Sequence, residues 1–252
     1  MGYWIDTHCH MNDEAYRQDF DLYMRQAQEN SVLRSNVVCL NRADREYTRQ
    51  LKERYPNLDI TFGWFPEDVQ HLNDQDMDYL ESVIDESIAV GEIGLDYYWN
   101  KEEKEAQKQM FIRQIEIANR HGKPIMIHSR DAAQDTYDIL KQHARTPVVM
   151  HCFSESTEMM REYLKLGYYI SFAGTVTFKN ARSPKENALE CPLDRMMIET
   201  DCPYLTPVPF RGKMNQTAYV KYTGEYIAAL RNISIEELQQ QLALNYDNWR
   251  NG

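Results

Sequence analysis

Short apolar segments alternate with longer amphipathic segments along the chain. The short segments are rich in β-branched or aromatic residues, and several are apolar at consecutive positions, as expected for parallel strands that are buried on both faces. We predict eight strands, at residues 3–8, 36–40, 60–64, 89–95, 124–128, 148–153, 168–173 and 196–200. This regular alternation is typical of βα units around a parallel sheet.

The longer segments have helical periodicity. In residues 101–121, Phe111 and Ile115 recur at helical spacing while charged and amide side chains fill the other positions. Two further helices are predicted at residues 218–231 and 234–248. The order of strands and helices therefore indicates a barrel of repeated βα units.

Length and composition agree with that architecture. The 252 residues match the roughly 250 that one (β/α)₈ barrel needs, and a hydrophobic content of 42% is sufficient for a packed core. We predict an α/β protein with one (β/α)₈, TIM-like barrel domain over residues 1–252. The sequence shows no signal-like or membrane-spanning segment, and its five cysteines include no CxxC pair. We therefore expect a soluble, cytoplasmic protein with reduced thiols.

Candidate metal ligands lie at or near the ends of five predicted strands. His8 and His10 are two residues apart at the end of the first strand, so both imidazoles point to the same side. The other four are Glu92 on the fourth strand, His128 and His151 on the fifth and sixth, and Asp201 after the eighth. In a (β/α)₈ barrel the carboxyl ends of all strands meet at one rim. The predicted fold therefore brings all six residues together.

Each of these residues also has a structural explanation when it is considered alone. His8 and His10 could be ordinary hydrogen-bonded histidines, and Glu92 could pair with an arginine. A single histidine at a strand end is more often a core residue than a metal ligand. Convergence at one rim favours metal binding, because the histidines outside this set fall in helices or loops.

The chemistry of the set favours hydrolysis. Imidazole and carboxylate ligands without thiolates suit Zn²⁺, Mn²⁺, Mg²⁺ or Fe²⁺. Six ligands exceed the needs of one tetrahedral site, which favours two divalent metal ions bridged by a carboxylate, with Glu92 as the bridge. His128 and His151 would complete the second site. Asp201 is the candidate general base, so Glu92 and Asp201 are the predicted catalytic residues.

Several longer motifs resemble the TatD family of metal-dependent deoxyribonucleases, a branch of the amidohydrolase-like barrels. The motifs are DTHCH at residues 6–10, GEIGLDYY at 91–98, HSRDA at 128–132, HCFS at 151–154 and ETDCPYL at 199–205, followed by 207–213. They occur in a fixed order, and the resemblance extends through nearly the whole chain.

The resemblance implies a TIM-like barrel that hydrolyses phosphodiester bonds, described for family members as exonuclease action on DNA with Mg²⁺, Mn²⁺ or Zn²⁺. It also implies how the ligands divide between two metals. One metal is held by His8, His10, Glu92 and Asp201, and the other by Glu92, His128 and His151.

Three positions depart from the usual family pattern. Phe65 replaces the histidine of a Gly-x-His-Pro motif, Glu155 stands where glycine is usual, and Gln216 stands within a replacement of Asn-Glu-Pro. Phe65 cannot contact a phosphate or a water as histidine can, and Glu155 adds a negative charge that disfavours DNA. These changes concern substrate choice and rate, because all six candidate ligands are present.

Substrate contacts are predicted for basic and aromatic residues near the rim. The candidates for binding phosphate are Arg130, Lys179, Arg211 and Lys213, and those for stacking on a base are Tyr204 and Trp64. The basic turn around Arg211 could instead be solvated, and either aromatic residue could pack against the barrel mouth.

Three functional hypotheses follow from the sequence. The first is a metal-dependent DNA exonuclease, and the second is a hydrolase of a small ester, amide, lactone or phosphodiester metabolite, which the net charge of −11 and Phe65 would suit. The third is a metal-binding protein without turnover, which the complete ligand set disfavours. We expect DNA or a small molecule as the partner, no membrane contact, and a monomer, since no coiled-coil heptad is present.

Overall fold

Eight parallel strands lie side by side in sequence order in a computed structural model that describes residues 2–252. The strands are β1 (Trp4–Cys9), β2 (Val32–Cys39), β3 (Leu58–Phe62), β4 (Ala89–Asp96), β5 (Ile125–Arg130), β6 (Val148–Met150), β7 (Tyr169–Phe172) and β8 (Met196–Ile198). Each pair from β1–β2 to β7–β8 is hydrogen-bonded in parallel. The result is a nearly closed barrel, which confirms the predicted fold.

Helices connect the strands and cover the outside of the barrel. The α-helices are α1 (Glu14–Arg17), α2 (Phe20–Glu29), α3 (Arg42–Arg54), α4 (Asp74–Ser82), α5 (Lys104–His121), α6 (Ala133–His143), α7 (Thr157–Lys165), α8 (Arg182–Glu190), α9 (Val220–Arg231) and α10 (Ile235–Asn251). Short 3₁₀ helices span Pro66–His71, Ile84–Glu86, Gly174–Thr177, Leu193–Arg195 and Thr217–Tyr219. Within residues 2–252, no helix has the length and apolar character needed to cross a membrane.

Two strands are shorter than predicted where the chain turns into candidate site residues. The sequence predicts β6 to residue 153 and β8 to residue 200, but they end at Met150 and Ile198. Cys152 and Asp201 have φ angles of +45° and +54°, which is the left-handed backbone region. A left-handed residue cannot continue an extended chain, and both strands end two or three residues before such a position.

The barrel closes between β8 and β1 through backbone and side-chain hydrogen bonds. The Asp201 N–H donates to the His8 carbonyl oxygen over 3.0 Å. The fully buried Asp6 carboxylate accepts from the Thr200 N–H and hydroxyl at 2.8 and 2.6 Å. These bonds hold the last strand segment against the first, and each of the two carries candidate ligands.

Helix α10 covers the amino-terminal end of the barrel. Tyr246 and Trp249 are fully buried and pack with Ile5 and Ala89, which lie near the beginnings of their strands. The Tyr246 hydroxyl also donates to Asp59 Oδ2 over 2.9 Å. Because this end is filled by the helix, the opposite, carboxyl-terminal end is the side on which a site can open.

Candidate metal centre

Four predicted ligands meet where β1, β4 and the segment after β8 approach one another. The Nε2 atoms of His8 and His10 are 3.1 Å apart, and each lies 3.5 Å from Asp201 Oδ1. Glu92 Oε2 is 3.5 Å from His8 Nε2 and 3.9 Å from His10 Nε2. Ligand atoms around a tetrahedral Zn²⁺ are separated by about 3.4 Å when their bonds are about 2.05 Å. These four atoms therefore have the spacing of one metal position.

The other oxygen of Glu92 faces a second pair of histidines. Its Oε1 atom is 2.9 Å from His128 Nδ1 on β5 and 3.1 Å from His151 Nε2, directly after β6. The Glu92 side chain is only 4% exposed, so these groups replace water as its partners. One carboxylate joins the two groups of potential ligands, as a carboxylate that bridges two cations does.

The donor set fits divalent cations. The His8 ring is fully buried and stacks on the His151 ring, with centroids 3.7 Å apart. Potential ligand atoms of His8, His10 and Glu92 lie within 4.8 Å of one another, and so do those of Glu92, His128 and His151. Buried lone pairs and charges that face one another need a proton or a cation between them. The six residues could therefore hold metal at this end of the barrel.

Burial and the carboxylates compete for the protons of the histidines. Burial and the neighbouring His151 hold the pKa of His8 well below its usual value. Burial also opposes charge on His10, but the hydrogen bond to Asp201 and the charges of Asp201 and Glu92 raise the pKa of His10 to about 9. Burial disfavours ionised Glu92, yet His151 and His8 hold its pKa well below the usual range. Metal binding must therefore displace a proton from His10 at neutral pH.

Two acidic residues hold the second pair of histidines from behind. Asp96, the last residue of β4, places Oδ2 2.9 Å from His128 Nε2. Fully buried Glu199 places Oε1 2.8 Å from His151 Nδ1. A carboxylate that is hydrogen-bonded to one ring nitrogen, as Asp96 is to His128, fixes the tautomer and turns the other nitrogen toward a metal. Glu199 makes a close contact with His151 that lacks hydrogen-bond geometry. Neither acid is among the candidate ligands predicted from the sequence, although each lies in the same motif as one of them.

The predicted basic residues lie in strand ends and loops outside this cluster. Arg130 ends β5, and its guanidinium carbon lies 4.1 Å from the centroid of the Tyr98 ring. The Arg211 guanidinium carbon lies 3.8 Å from the centroid of the Phe178 ring. Arg130, Arg211 and Lys213 are all exposed. Their charged groups are therefore accessible to a substrate, while the cluster itself is built from the six ligand candidates and two supporting acids.

The two aromatic residues predicted to stack on a base differ in exposure. Tyr204, in the loop after β8, is 62% exposed. Trp64 is only 7% exposed, and its indole N–H donates to the Asp76 carbonyl oxygen over 3.0 Å. Trp64 is therefore a core residue, and the stacking interpretation is wrong for it.

Two of the three positions that depart from the family pattern, Phe65 and Glu155, lie beside His128 or the residue that follows it. The Phe65 ring packs edge-on against His128, with centroids 4.8 Å apart. Glu155 accepts a hydrogen bond of 2.6 Å from the Ser129 hydroxyl, and burial raises the pKa of its carboxyl against the effect of that bond. Gln216 is buried. Phe65 and Glu155 therefore alter the surroundings of the centre and not its donor atoms.

Comparison with protein families and relatives agrees with this geometry. A family model described as "TatD related DNase" matches residues 5–250. The uncharacterized metal-dependent hydrolase YabD of Bacillus subtilis is 43% identical over 238 residues, which cover 93% of each chain. The uncharacterized metal-dependent hydrolase YcfH of Escherichia coli K12 is 37% identical over 249 residues, covering 96% of this chain and 93% of YcfH.

Solved structures share the whole barrel. YJJV, a TatD homologue from Escherichia coli K12, superposes with a TM-score of 0.93 at 27% identity. The match covers 99% of this chain and 98% of YJJV. A TatD family hydrolase from Entamoeba histolytica has the same fold, with a TM-score of 0.86 at 21% identity over 98% of each chain. With a family match over nearly its whole length and relatives above 35% identity, this chain belongs to the TatD family of metal-dependent hydrolases.

Proposed function

We propose that this protein is a DNA exonuclease that hydrolyses phosphodiester bonds with two divalent metal ions. The observation that carries the proposal is the division of the Glu92 carboxylate between two groups of histidines. In the proposed assignment, one ion is held by His8, His10, Glu92 and Asp201, and the other by Glu92, His128 and His151. The description of the matching family as DNase-related supports DNA as the substrate.

The two carboxylates of the centre have different roles in this proposal. Divalent ions bound there supply Lewis acidity, which lowers the pKa of water and neutralises charge on a phosphate. Glu92 is 4% exposed, whereas the Asp201 side chain is 17% exposed. Asp201 can therefore reach an incoming water and accept its proton as general base, while Glu92 stays ionised between the two groups.

Substrate binding is assigned to the exposed groups around the barrel mouth. Arg130, Arg211 and Lys213 are exposed and would contact phosphate oxygens, since guanidinium and ammonium groups bind phosphate. Tyr204 is exposed and would stack on a base. These side chains supply local positive charge on a protein whose net charge is −11.

A small ester, amide or phosphodiester metabolite is the second candidate substrate. Phe65 offers His128 an apolar ring edge, and Glu155 places a carboxyl close to the residue that follows His128. Both features suit a compact or uncharged substrate better than a polyanion. The reaction class and the metal ligands are the same in both proposals.

The test is release of nucleotides from 3′- or 5′-labelled single-stranded DNA by metal-stripped protein supplied with Mg²⁺, Mn²⁺ or Zn²⁺. Asp201→Asn should reduce cleavage at least about a hundredfold, because it removes the general base and weakens one metal position. Asp194→Asn, a change at a carboxylate that is 64% exposed, is the matched control and should behave as the wild type. Two bound metals per chain without DNA cleavage would refute the exonuclease and leave the small-substrate hydrolase.

A further inference from the structure

Two large aromatic side chains stand exposed directly after β4. Trp99 is 63% exposed and Tyr98 is 47% exposed, and their ring centroids are 4.7 Å apart in an edge-to-face arrangement. Neighbouring exposed aromatic rings at the active rim of a barrel are unusual unless they bind something. Neither residue has a role in the metal centre or in the sequence-based substrate contacts.

The backbone of this aromatic pair is tied to the metal centre. Asp96 Oδ1 accepts hydrogen bonds of 2.9 Å from both the Tyr98 and the Trp99 N–H. The other oxygen of the same carboxylate is 2.9 Å from His128 Nε2. Gln107 on α5 bonds the Asp96 N–H and carbonyl oxygen at 2.8 and 2.9 Å. The exposed rings therefore sit on a fixed loop, so binding there costs little ordering entropy.

Arg130 completes the arrangement. Its guanidinium carbon lies 4.1 Å from the Tyr98 ring centroid and 5.5 Å from that of Trp99, and Arg130 is two residues after His128 on β5. Among the ion pairs formed within residues 2–252, none involves Arg130. An exposed guanidinium without a carboxylate partner can bind a phosphate with both of its outer nitrogens.

We propose that Tyr98, Trp99 and Arg130 form a nucleotide subsite in which a base of a single strand stacks on Trp99 and Arg130 binds an adjacent phosphate. This inference rests on the proposed exonuclease function and deepens it. A nucleotide supplies a flat π-face next to an anion, and every base has such a face, so stacking tolerates all four bases. A small ester or amide has no need for an aromatic platform beside an unpaired guanidinium.

The tryptophans of this chain offer a direct readout of binding. Trp99 is exposed, whereas the other three are buried, namely Trp4, Trp64 and Trp249. The metal-loaded protein is titrated with a phosphorothioate-linked oligothymidylate, which resists cleavage, and with an abasic phosphorothioate strand of the same length and charge. We expect the base-bearing strand to quench Trp99 fluorescence and the abasic strand to leave it unchanged. Trp99→Phe should remove the quenching signal but retain affinity.

Affinity variants test whether the platform contributes to binding. Trp99→Ala should weaken binding of the oligothymidylate about tenfold, which matches the loss of one stacked base, and should reduce the preference over the abasic strand by the same factor. Leu244→Ala, at a residue that is 57% exposed on α10, is the control and should bind as the wild type does.

The outcomes separate the subsite from the reaction. If DNA is cleaved but base-dependent quenching and the tenfold loss are both missing, the subsite is refuted and the exonuclease stands. If no DNA is cleaved but quenching remains base-dependent, the exonuclease fails and the nucleotide subsite stands. Equal quenching by the base-bearing and abasic strands contradicts stacking in either case.

Discussion

Replacing Asp96 by asparagine should selectively weaken the metal position that contains His128. The Asp96 carboxylate accepts from two backbone N–H groups through Oδ1 and from His128 through Oδ2. An asparagine that keeps its carbonyl oxygen on the backbone N–H groups turns its NH₂ group toward His128 Nε2. Two donors then face each other over 2.9 Å, unless His128 moves its proton to Nδ1.

That tautomer change sets the size of the effect. His128 Nδ1 is the nitrogen that lies 2.9 Å from Glu92 Oε1, so a proton there blocks the proposed metal bond. Loss of a carboxylate behind a metal-binding histidine typically costs about tenfold to a hundredfold in metal affinity, or about 1.4 to 2.7 kcal/mol. We expect this loss at the His128 position and a change of less than about threefold at the His8 and His10 position.

Calorimetric titration of metal-stripped protein with Zn²⁺ or Mn²⁺ measures both positions. Asp135→Asn is the control, because Asp135 accepts from Tyr97 and pairs with Lys108 without contacting a candidate ligand. Thermal unfolding in the presence of a chelator checks that both variants fold. If Asp96→Asn binds metal at both positions with the affinity of the wild type, the claim that Asp96 sets the His128 tautomer is refuted.

Three further predictions concern pH, packing and backbone geometry. Burial opposes charge on His10, but Asp201 and Glu92 raise its pKa to about 9, so metal must displace its proton at neutral pH. The apparent metal affinity should increase by up to about tenfold per pH unit from pH 7 to 9, and a pH-independent affinity in calorimetry would contradict this. The same raised pKa stabilises the metal-free fold fully below pH 6.5, and this stability is lost as the pH rises through about 9. Trp249→Ala should lower the free energy of unfolding by about 3–5 kcal/mol, since the ring is fully buried. Urea denaturation measures this change, and a loss below about 1 kcal/mol would show that packing at this end of the barrel does not depend on the Trp249 ring. Gly94 has φ +147°, and an added Cβ would lie 1.9 Å from the His128 carbonyl oxygen. Gly94→Ala should therefore abolish soluble expression or metal binding. A Gly94→Ala protein that binds metal as the wild type does would refute this steric argument.

The fold was predictable because its pattern is local and repeated. Each apolar strand followed by an amphipathic helix indicates a βα unit, and eight such units in 252 residues leave few alternatives to a barrel. Because the carboxyl ends of all strands in such a barrel meet at one rim, the fold also predicts that residues as distant in sequence as His8 and Asp201 converge. The predicted strand ends were less accurate. Cys152 and Asp201 adopt left-handed backbone angles, but neither is a glycine or an asparagine, the residue types that would indicate a turn.

The surroundings of the site were harder to predict than its candidate ligands. Asp96 on β4 contacts a nitrogen of His128 on the neighbouring β5, and Glu199 after β8 contacts a nitrogen of His151 after β6, two strands away. These contacts depend on strand register and barrel closure. Trp64 and Trp99 look alike in sequence, yet one is buried against Asp76 and the other is exposed. Only the packing of helices and loops against the barrel separates these two environments.

Closure of the barrel between β1 and β8 limits when the proposed metal centre can form during synthesis of the protein. His8 and His10 leave the ribosome nearly two hundred residues before Asp201 and the Thr200 partner of Asp6. At the usual rate of translation this interval is on the order of tens of seconds. During that interval the nascent chain carries only part of the proposed ligand set, so the metal position of His8 and His10 should be completed only after Asp201 has been synthesised.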